Sequence, residues 1–438
     1  MGESVVDSRL LGEWLGDLAR RHRIPVLQGA LCEAGEITVA RAGFNDSATS
    51  EEPEGSVSMP FASVTKLFTA TVAMQLVTDG DLDLGEPVNA YLPEWPEPAA
   101  GVTLRHLLSH SSGLVCDPPG EPASAGQAAM AAASAGLLFA PGTAFSYSNA
   151  GFTVVGRLIE AATGMGWREA VTDFVLRPLD IAPAFLTGHQ APGRAVGLPG
   201  HAATAAGPVR IEVAVPRAAE PAAVLVGRVE DLAAFGRLFL DRRATAHAAL
   251  LEDEAVQAMR QAPFDTVPFG LADGWGLGWA LYGQGPDRWL GLDGAGAGTT
   301  CQLRVHPGSG TVLALQANSS AGAAAWDDLV ALLRAEGREI GMPSSGAADD
   351  GARALPDCAG RWINGETVYR ISPAASGSAV LEDDDGTEYH LTGRGVRYFA
   401  ARHTDNPAIE HLGRFLLDPV TGRADLMQFG GRVMQRAA

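Results

Sequence analysis

Ser63-Val64-Thr65-Lys66 sets a hydroxyl and an amine three residues apart. On a helix, residues i and i+3 share a face, so the two groups can come within hydrogen-bonding reach. A serine is a poor nucleophile until a base takes its proton, and a buried lysine with a lowered pKa can be that base. A serine at a helix start also has the helix's positive end aimed at a developing oxyanion. The spacing alone is a weak signal, but composition strengthens it. Of 32 basic residues, 31 are Arg and only Lys66 is Lys. A chain that writes arginine wherever a generic positive charge will do keeps a lysine where a guanidinium cannot serve, because only the amine can lose its proton near neutral pH.

A second cluster, Phe145-Ser146-Tyr147-Ser148-Asn149, follows the turn Pro141-Gly142. A phenol held beside an ammonium ionises more readily and can shuttle a proton to a leaving group. Asn149 offers a donor and an acceptor to a substrate amide and to Lys66. The segment alone leaves a blander reading open, an aromatic loop residue beside a helix cap.

The elements that must position these groups follow from the pattern along the chain. Residues 24 to 45 alternate apolar and polar character around Gly35 and Gly43, which predicts a β-hairpin. A helix follows Pro60, with Val64, Phe68, Val72 and Leu76 on one face and Gly80 past its end. Helical and Pro/Gly-rich stretches fill residues 81 to 260. Ala123 to Ala140 reads as a small-residue helix packed inside the protein, too little apolar to span a membrane. Strands return at Trp275–Leu281, Cys301–Val305 and Thr311–Gln316, the last two joined by the turn His306-Pro307-Gly308-Ser309-Gly310, and a helix over about Ala323 to Glu336 closes this region. Residues 341–354 have linker composition. Beyond them Trp362, Val368, Tyr369, Ile371, Tyr389, Leu391, Tyr398, Phe399, Phe415 and Leu417 fall in short runs between turns, as in a small antiparallel β-domain.

The 438 residues suffice for two or three domains, and a 46% hydrophobic, 19% charged composition is that of a folded globular protein. A formal net charge of -19 with no Lys/Arg cluster argues against nucleic-acid binding. Cys32, Cys116, Cys301 and Cys358 lie far apart with no metal or redox spacing, so they are expected to be reduced and structural. Met1 to Leu10 lacks the basic and apolar segments of a secretory signal. The expectation is a cytoplasmic protein with no membrane partner, no metal and no cofactor.

Taken together, the two clusters resemble the serine β-lactamase and penicillin-binding-protein superfamily, in particular its class C-like and esterase branch. Leu107-Leu108-Ser109-His110-Ser111-Ser112-Gly113-Leu114, Asp79-Gly80-Asp81-Leu82-Asp83-Leu84 and Trp275-Gly276-Leu277-Gly278-Trp279 match the same pattern in the same order over residues 10 to 340. The resemblance implies an α/β fold: an antiparallel sheet plus an all-helical subdomain over residues 1–340, with the active site between them. After the 341–354 linker, residues 355–438 would form a lipocalin-like antiparallel β-domain. It also implies Ser63, Lys66 and Tyr147 as catalytic residues, and His106 and His110 as parts of a structural motif. The chain is similar, more closely, to the penicillin-binding-protein-type thioesterases and transacylases of nonribosomal peptide pathways, which the ending Phe429-Gly430-Gly431-Arg432-Val433 also fits.

One departure stands out. The superfamily's third motif reads Lys-Thr-Gly, or His, one residue and Gly in the esterase and thioesterase branch. Here Gly291-Leu292-Asp293-Gly294-Ala295 takes its place, with Leu292 where the cation stands and Ala297 where the branch often has Pro. The main chain at Gly294 and Ala295 can still supply an N–H that pairs with that of Ser63 as an oxyanion hole, with Asn149 and Leu292 lining the substrate site. The expected activity is acyl transfer through an acyl-Ser63 intermediate. The donor would be a small-molecule or peptidyl ester or thioester, free or bound to a carrier protein, and the acceptor an amine. Two alternatives stay open: a hydrolase using the same machinery (esterase, β-lactamase or amidase), and a catalytically dead binding protein.

Overall fold

The computed structural model describes residues 6–43, 57–117, 119–120, 122–186, 198–211, 215, 217–240, 250–285, 287–296, 298–344, 352–374, 377–395, 397–405, 410–418 and 420–437. Ala297, the first five residues and linker residues 345–351 lie outside them. The helices include α1 (Ser8–His22), α2 (Thr65–Asp79), α3 (Leu104–Leu108), α4 (Ala125–Ser134), α5 (Asn149–Thr163), α6 (Val229–Gly236) and α7 (Gly322–Ala335). The strands are β1 (Val26–Glu33), β2 (Glu36–Gly43), β3 (Trp289–Gly296), β4 (Thr299–His306) and β5 (Thr311–Ala317). A second set follows: β6 (Gly360–Asn364), β7 (Thr367–Pro373), β8 (Ala379–Glu382), β9 (Glu388–Arg394), β10 (Tyr398–His403), β11 (Glu410–Leu417), β12 (Ala424–Phe429) and β13 (Arg432–Arg436). The chain forms two compact units, one of residues 1–83, 155–260 and 281–342, the other of 84–154, 261–280 and 343–438.

In the first unit an antiparallel sheet runs β2-β1-β5-β4-β3. The expected hairpin is β1–β2, turning through Ala34 and Gly35, which both hold positive φ. Alternation splits the sheet's residues between two faces. Leu27, Leu31, Leu313 and Leu315 pack with Leu11, Leu15 and Leu18 of α1 and with Trp326, Leu329 and Leu333 of α7. A Leu→Ala change in such a core costs about 2–5 kcal/mol. The opposite face carries α6. A Cβ on Gly236 would lie 2.7 Å from Val312, so glycine there lets the helix sit close to the strands.

In the second unit β6 through β13 pair in chain order, each antiparallel to the next, and β13 returns to β6. The result is a closed eight-stranded up-and-down barrel, the lipocalin-like architecture, with no open edge in the ring. Its interior is filled by Trp362, Ile371, Leu381, Leu391, Phe399, Phe415, Met427 and Met434. Gly413 makes room for the Phe399 ring, which a Cβ would strike at 2.1 Å.

Several expectations need correction. The 275–281 strand is two short strands, Gly274–Trp275 and Ala280–Tyr282, interrupted where Gly278 adopts φ 91°. The small-residue helix is only Ala125–Ser134, and it buries one face, Ala128, Ala129, Ala132 and Ala133, rather than lying wholly inside. A hairpin of Gly200–Thr204 and Gly207–Ile211 falls in the stretch read as helical and Pro/Gly-rich. Ala352 and Arg353, assigned to the linker, pair as a strand with Arg394 and Gly393. Among the described residues no helix is long and apolar enough to cross a membrane.

Candidate active site

Ser63 lies in a 3-10 turn, Ala62–Val64, that leads directly into α2. The residue before it, Ala62, holds φ 47°, a left-handed conformation that costs a residue with a Cβ and marks a turn fixed by its surroundings. The surroundings are mostly main chain. Met59 and Pro60 pair with Gly227 and Val226, Phe61 N donates to Leu225 O at 2.8 Å, and Leu225 N donates to Thr65 Oγ1 at 3.1 Å.

In the first turn of α2, Lys66 is wholly buried. Its Nζ lies 3.4 Å from Ser63 Oγ and 3.1 Å from Ala222 O. The segment carrying Ala222 is strapped to α2 by Thr69 Oγ1, which donates to Pro221 O at 2.7 Å and accepts from Trp167 Nε1 at 3.1 Å. Ser63 itself is half-buried, whereas Lys66 is wholly buried.

β3 passes the same turn with bare backbone. A Cβ on Gly294 would lie 2.5 Å from Phe61 O and 3.1 Å from Ser63 N, so only glycine fits without displacement. Leu292, two residues earlier and on the same face, is 3% exposed and sits opposite Leu303 in β4. Ala295 follows on the other face and is exposed. Ser63, Lys66 and Gly294 are thus brought together within the first unit, with Leu292 and Ala295 close to Gly294 along β3.

Tyr147 and Asn149 are placed within the second. Ser148 Oγ accepts from Gly151 N at 2.9 Å across the first turn of α5, and this hydroxyl donates to Val115 O. His110, at φ 53°, organises the loop: its carbonyl accepts from Ser146 N at 2.8 Å and its Nδ1 from Ser148 N at 3.1 Å. Its ring lies 4.3 Å from that of Tyr147 and 5.0 Å from that of Trp275. His106 Nδ1 sits 2.9 Å from Thr103 Oγ1 at the start of α3, and burial lowers the imidazole's pKa. Both histidines hold structure here.

The barrel supplies ties to this loop that no local sequence pattern signals. Tyr147 N donates to Gly431 O at 2.9 Å in the β12–β13 turn, Val433 N donates to Ser146 Oγ at 3.0 Å, and Gln428 Nε2 donates to Phe145 O at 2.9 Å. Asn149 Nδ2 donates to Asp117 Oδ1 at 2.9 Å, and Arg432 stands 4.0 Å from the other Asp117 oxygen. Part of Asn149's donor capacity, expected to face substrate, is therefore spent on Asp117. The only hint of this in the sequence was the Phe429–Val433 ending, which carried no local chemistry.

Residues 11–336 match the family described as Beta-lactamase. The chain is 31% identical to "Penicillin-binding protein 4" of Amycolatopsis lactamdurans over 341 residues, 74% of this chain and 89% of that one. It belongs to the β-lactamase and penicillin-binding-protein superfamily. Over 36% of its length it is 34% identical to "Esterase EstB" of Burkholderia gladioli, covering 46% of that protein. Among solved structures, "Crystal structure of SurE" is 37% identical with a TM-score of 0.87, covering 98% of this chain and 99% of that one. A second structure of the same protein, "with D-Leu", gives 36% and 0.85 over 98% and 99%. Superfamily members are serine hydrolases and acyltransferases, so this chain is of that kind. The family match ends at residue 336, whereas the SurE likeness runs on through the barrel.

Proposed function

We propose that the chain is a serine acyltransferase. Ser63 takes an acyl group from an ester or thioester donor and passes it to an amine, as a transacylase or peptide macrocyclase of specialised metabolism. The observation that carries this reading is the wholly buried Lys66 amine 3.4 Å from Ser63 Oγ, in a chain with no other lysine. Lys66 accepts the Ser63 proton as Oγ attacks the acyl carbonyl. The oxyanion is received by the main-chain N–H groups of Ser63 and of β3 near Ala295. The tetrahedral intermediate collapses, and the departing thiolate or alkoxide takes a proton through Tyr147. The acceptor amine then attacks the acyl ester, and Ser63 regains its proton.

Cysteine does not compete for the nucleophile's role. Burial raises all four thiols, Cys116 to about 12 and Cys358 to about 11, so none is a thiolate at neutral pH. Leu292 favours a donor whose carboxyl is masked: a free carboxylate desolvated against a buried leucine would lack a partner. Likeness to SurE through the barrel, and that protein's structure with D-Leu, support a donor or acceptor containing a D-residue. We further propose a cytoplasmic setting, a carrier-bound donor, and organisation as a catalytic region 1–340, a linker 341–354 whose Ala352–Arg353 end joins the sheet of the β-domain, and that β-domain over 355–438. Likeness to an esterase supports the hydrolytic alternative, in which water replaces the amine.

Intact-protein mass spectrometry with an activated D-leucyl ester should show one adduct, absent from Ser63→Ala. Adding an amine should discharge it as amide faster than water does. Lys66→Arg should be as inactive as Lys66→Ala, because a guanidinium cannot accept the proton. Equal labelling of Ser63→Ala, or an active Lys66→Arg, would overturn the assignment; discharge only to acid would leave a hydrolase.

A further inference from the structure

On the face of the sheet away from Gly294 lies a wholly buried cation. Arg304 in β4 has a side-chain exposure of 0%. Its Nη1 and Nη2 donate to the two oxygens of Asp293 at 2.6 and 3.0 Å, a bidentate pair. Its Nε donates to Gly341 O at 2.9 Å, Nη1 also reaches Leu303 O at 3.0 Å, and the guanidinium lies 4.1 Å over the Tyr282 ring and 5.1 Å from that of Trp326. Gly291 makes this possible, since a Cβ there would stand 2.7 Å from Arg304 Cδ.

As a stability device the pair is poorly motivated. Burying a guanidinium is costly, and apolar residues of similar volume would fill the same space at no such cost. Its position gives it a purpose. Asp293 immediately precedes Gly294, the residue whose backbone presses on Ser63 and Phe61. The strand carrying both contains Gly291, Gly294 and Gly296, and glycine inside a strand weakens it because there is little side chain to pack. A strand that must be bare on the nucleophile's side needs to be held from the other.

We propose that Arg304 and Asp293 are positioning residues: their bidentate pair braces β3 so that its main chain, at Gly294 and Ala295, stays in register with the Ser63 turn during acyl transfer. This rests on the acyl-transfer reading above and deepens it. The brace acts through backbone placement, so its loss should slow the chemical step while leaving substrate binding nearly intact.

The test uses the full chain with Arg304→Met, Asp293→Asn and the double variant. Arg304→Met keeps an apolar stem among the rings and leaves Asp293, 49% exposed, free to be hydrated, so it serves if Asp293→Asn fails to fold. Active sites are counted by stoichiometric labelling of Ser63 with a fluorophosphonate, and kcat and KM on an activated ester are expressed per labelled site. Expected are a kcat lower by about 10- to 100-fold and a KM within about threefold. The double variant should be no worse than the poorer single, as for residues that act as a unit. Amide hydrogen exchange should accelerate over Gly291–Gly296 and not over β1. A kcat per labelled site within about twofold of the parent, whatever happens to thermal stability, overturns the brace. A parent that neither labels nor turns over refutes the acyl-transfer reading instead, and the exchange pattern then decides separately whether the brace exists.

Discussion

The Ser63 turn and the Tyr147 loop are held in place by different materials. Around Ser63 the holders are chiefly main chain: Leu225 on Phe61 and Thr65, the Ala222 carbonyl on Lys66, and the bare backbone of Gly294. Around Tyr147 side chains carry more of the hold: His110, Ser146, Gln428 and Asp117, beside main-chain bonds from Ser146 N to His110 O and from Tyr147 N to Gly431 O. Main-chain packing leaves no slack, because an added carbon has nowhere to go. Side-chain hydrogen bonds can be removed singly, at a graded cost. The first region should therefore fail abruptly and the second by degrees.

Gly294→Ala should have the largest effect. Its Cβ cannot stand 2.5 Å from Phe61 O, so either β3 or the Ser63 turn must shift. Displacement on the order of 1 Å can cost about 10²-fold in rate. Gly296→Ala, two residues along the same strand and open to solvent with nothing within 4 Å of its Cβ, is the matched control and should leave kcat unchanged. Steady-state kinetics of the pair on one ester decides the matter: equal rates would show that β3 does not set the geometry at Ser63.

The second region should respond more gently. Ser146→Ala leaves the buried Val433 N–H without its acceptor, which costs about 1–3 kcal/mol. We expect a fall of a few degrees in Tm and a loss of roughly tenfold in kcat, as the loop loses one of several ties rather than its only one. A 100-fold loss would mean that the barrel's hold on this loop is as unforgiving as the strand's hold on Ser63, and the contrast would collapse.

The same contrast explains what could be read from the amino-acid sequence. Ser63 and Lys66 are three residues apart on one turn, so their partnership is local and visible. The hairpin at Val26–Gly43 and the helix after Pro60 declared themselves through alternation, through the spacing of Val64, Phe68, Val72 and Leu76, and through Gly80. The holders were not legible. Gln428 meets Phe145 and Val433 meets Ser146 across more than 280 residues, and no local pattern announces such a bond. Asp117 and Arg432 look like ordinary surface charges until the fold brings them beside Asn149. The strand expected over 275–281 failed for a local reason: Gly278 takes a positive φ that breaks an otherwise apolar run.

Leu292 is where the first region's rule predicts the least effect. It lines β3 two residues before Gly294, yet its own side chain, 3% exposed against Leu303, makes no polar contact with the reacting groups. Leu292→His restores the family's usual residue type at that position. Burying an imidazole among apolar neighbours should cost about 1–3 kcal/mol of stability. Ester turnover should nevertheless stay within about threefold of the parent, since no transition-state contact depends on the leucine. The variant should differ in selectivity instead: a substrate bearing a free carboxylate, inert with the natural protein, gains measurable turnover because the charge now has a partner. Kinetics of both proteins on a matched ester and acid pair reads this directly. If the natural protein turns over neither substrate and histidine restores both, Leu292 marks the decay of a once-active enzyme. In that case the main-chain enclosure of Ser63, however well kept, is not sufficient for catalysis.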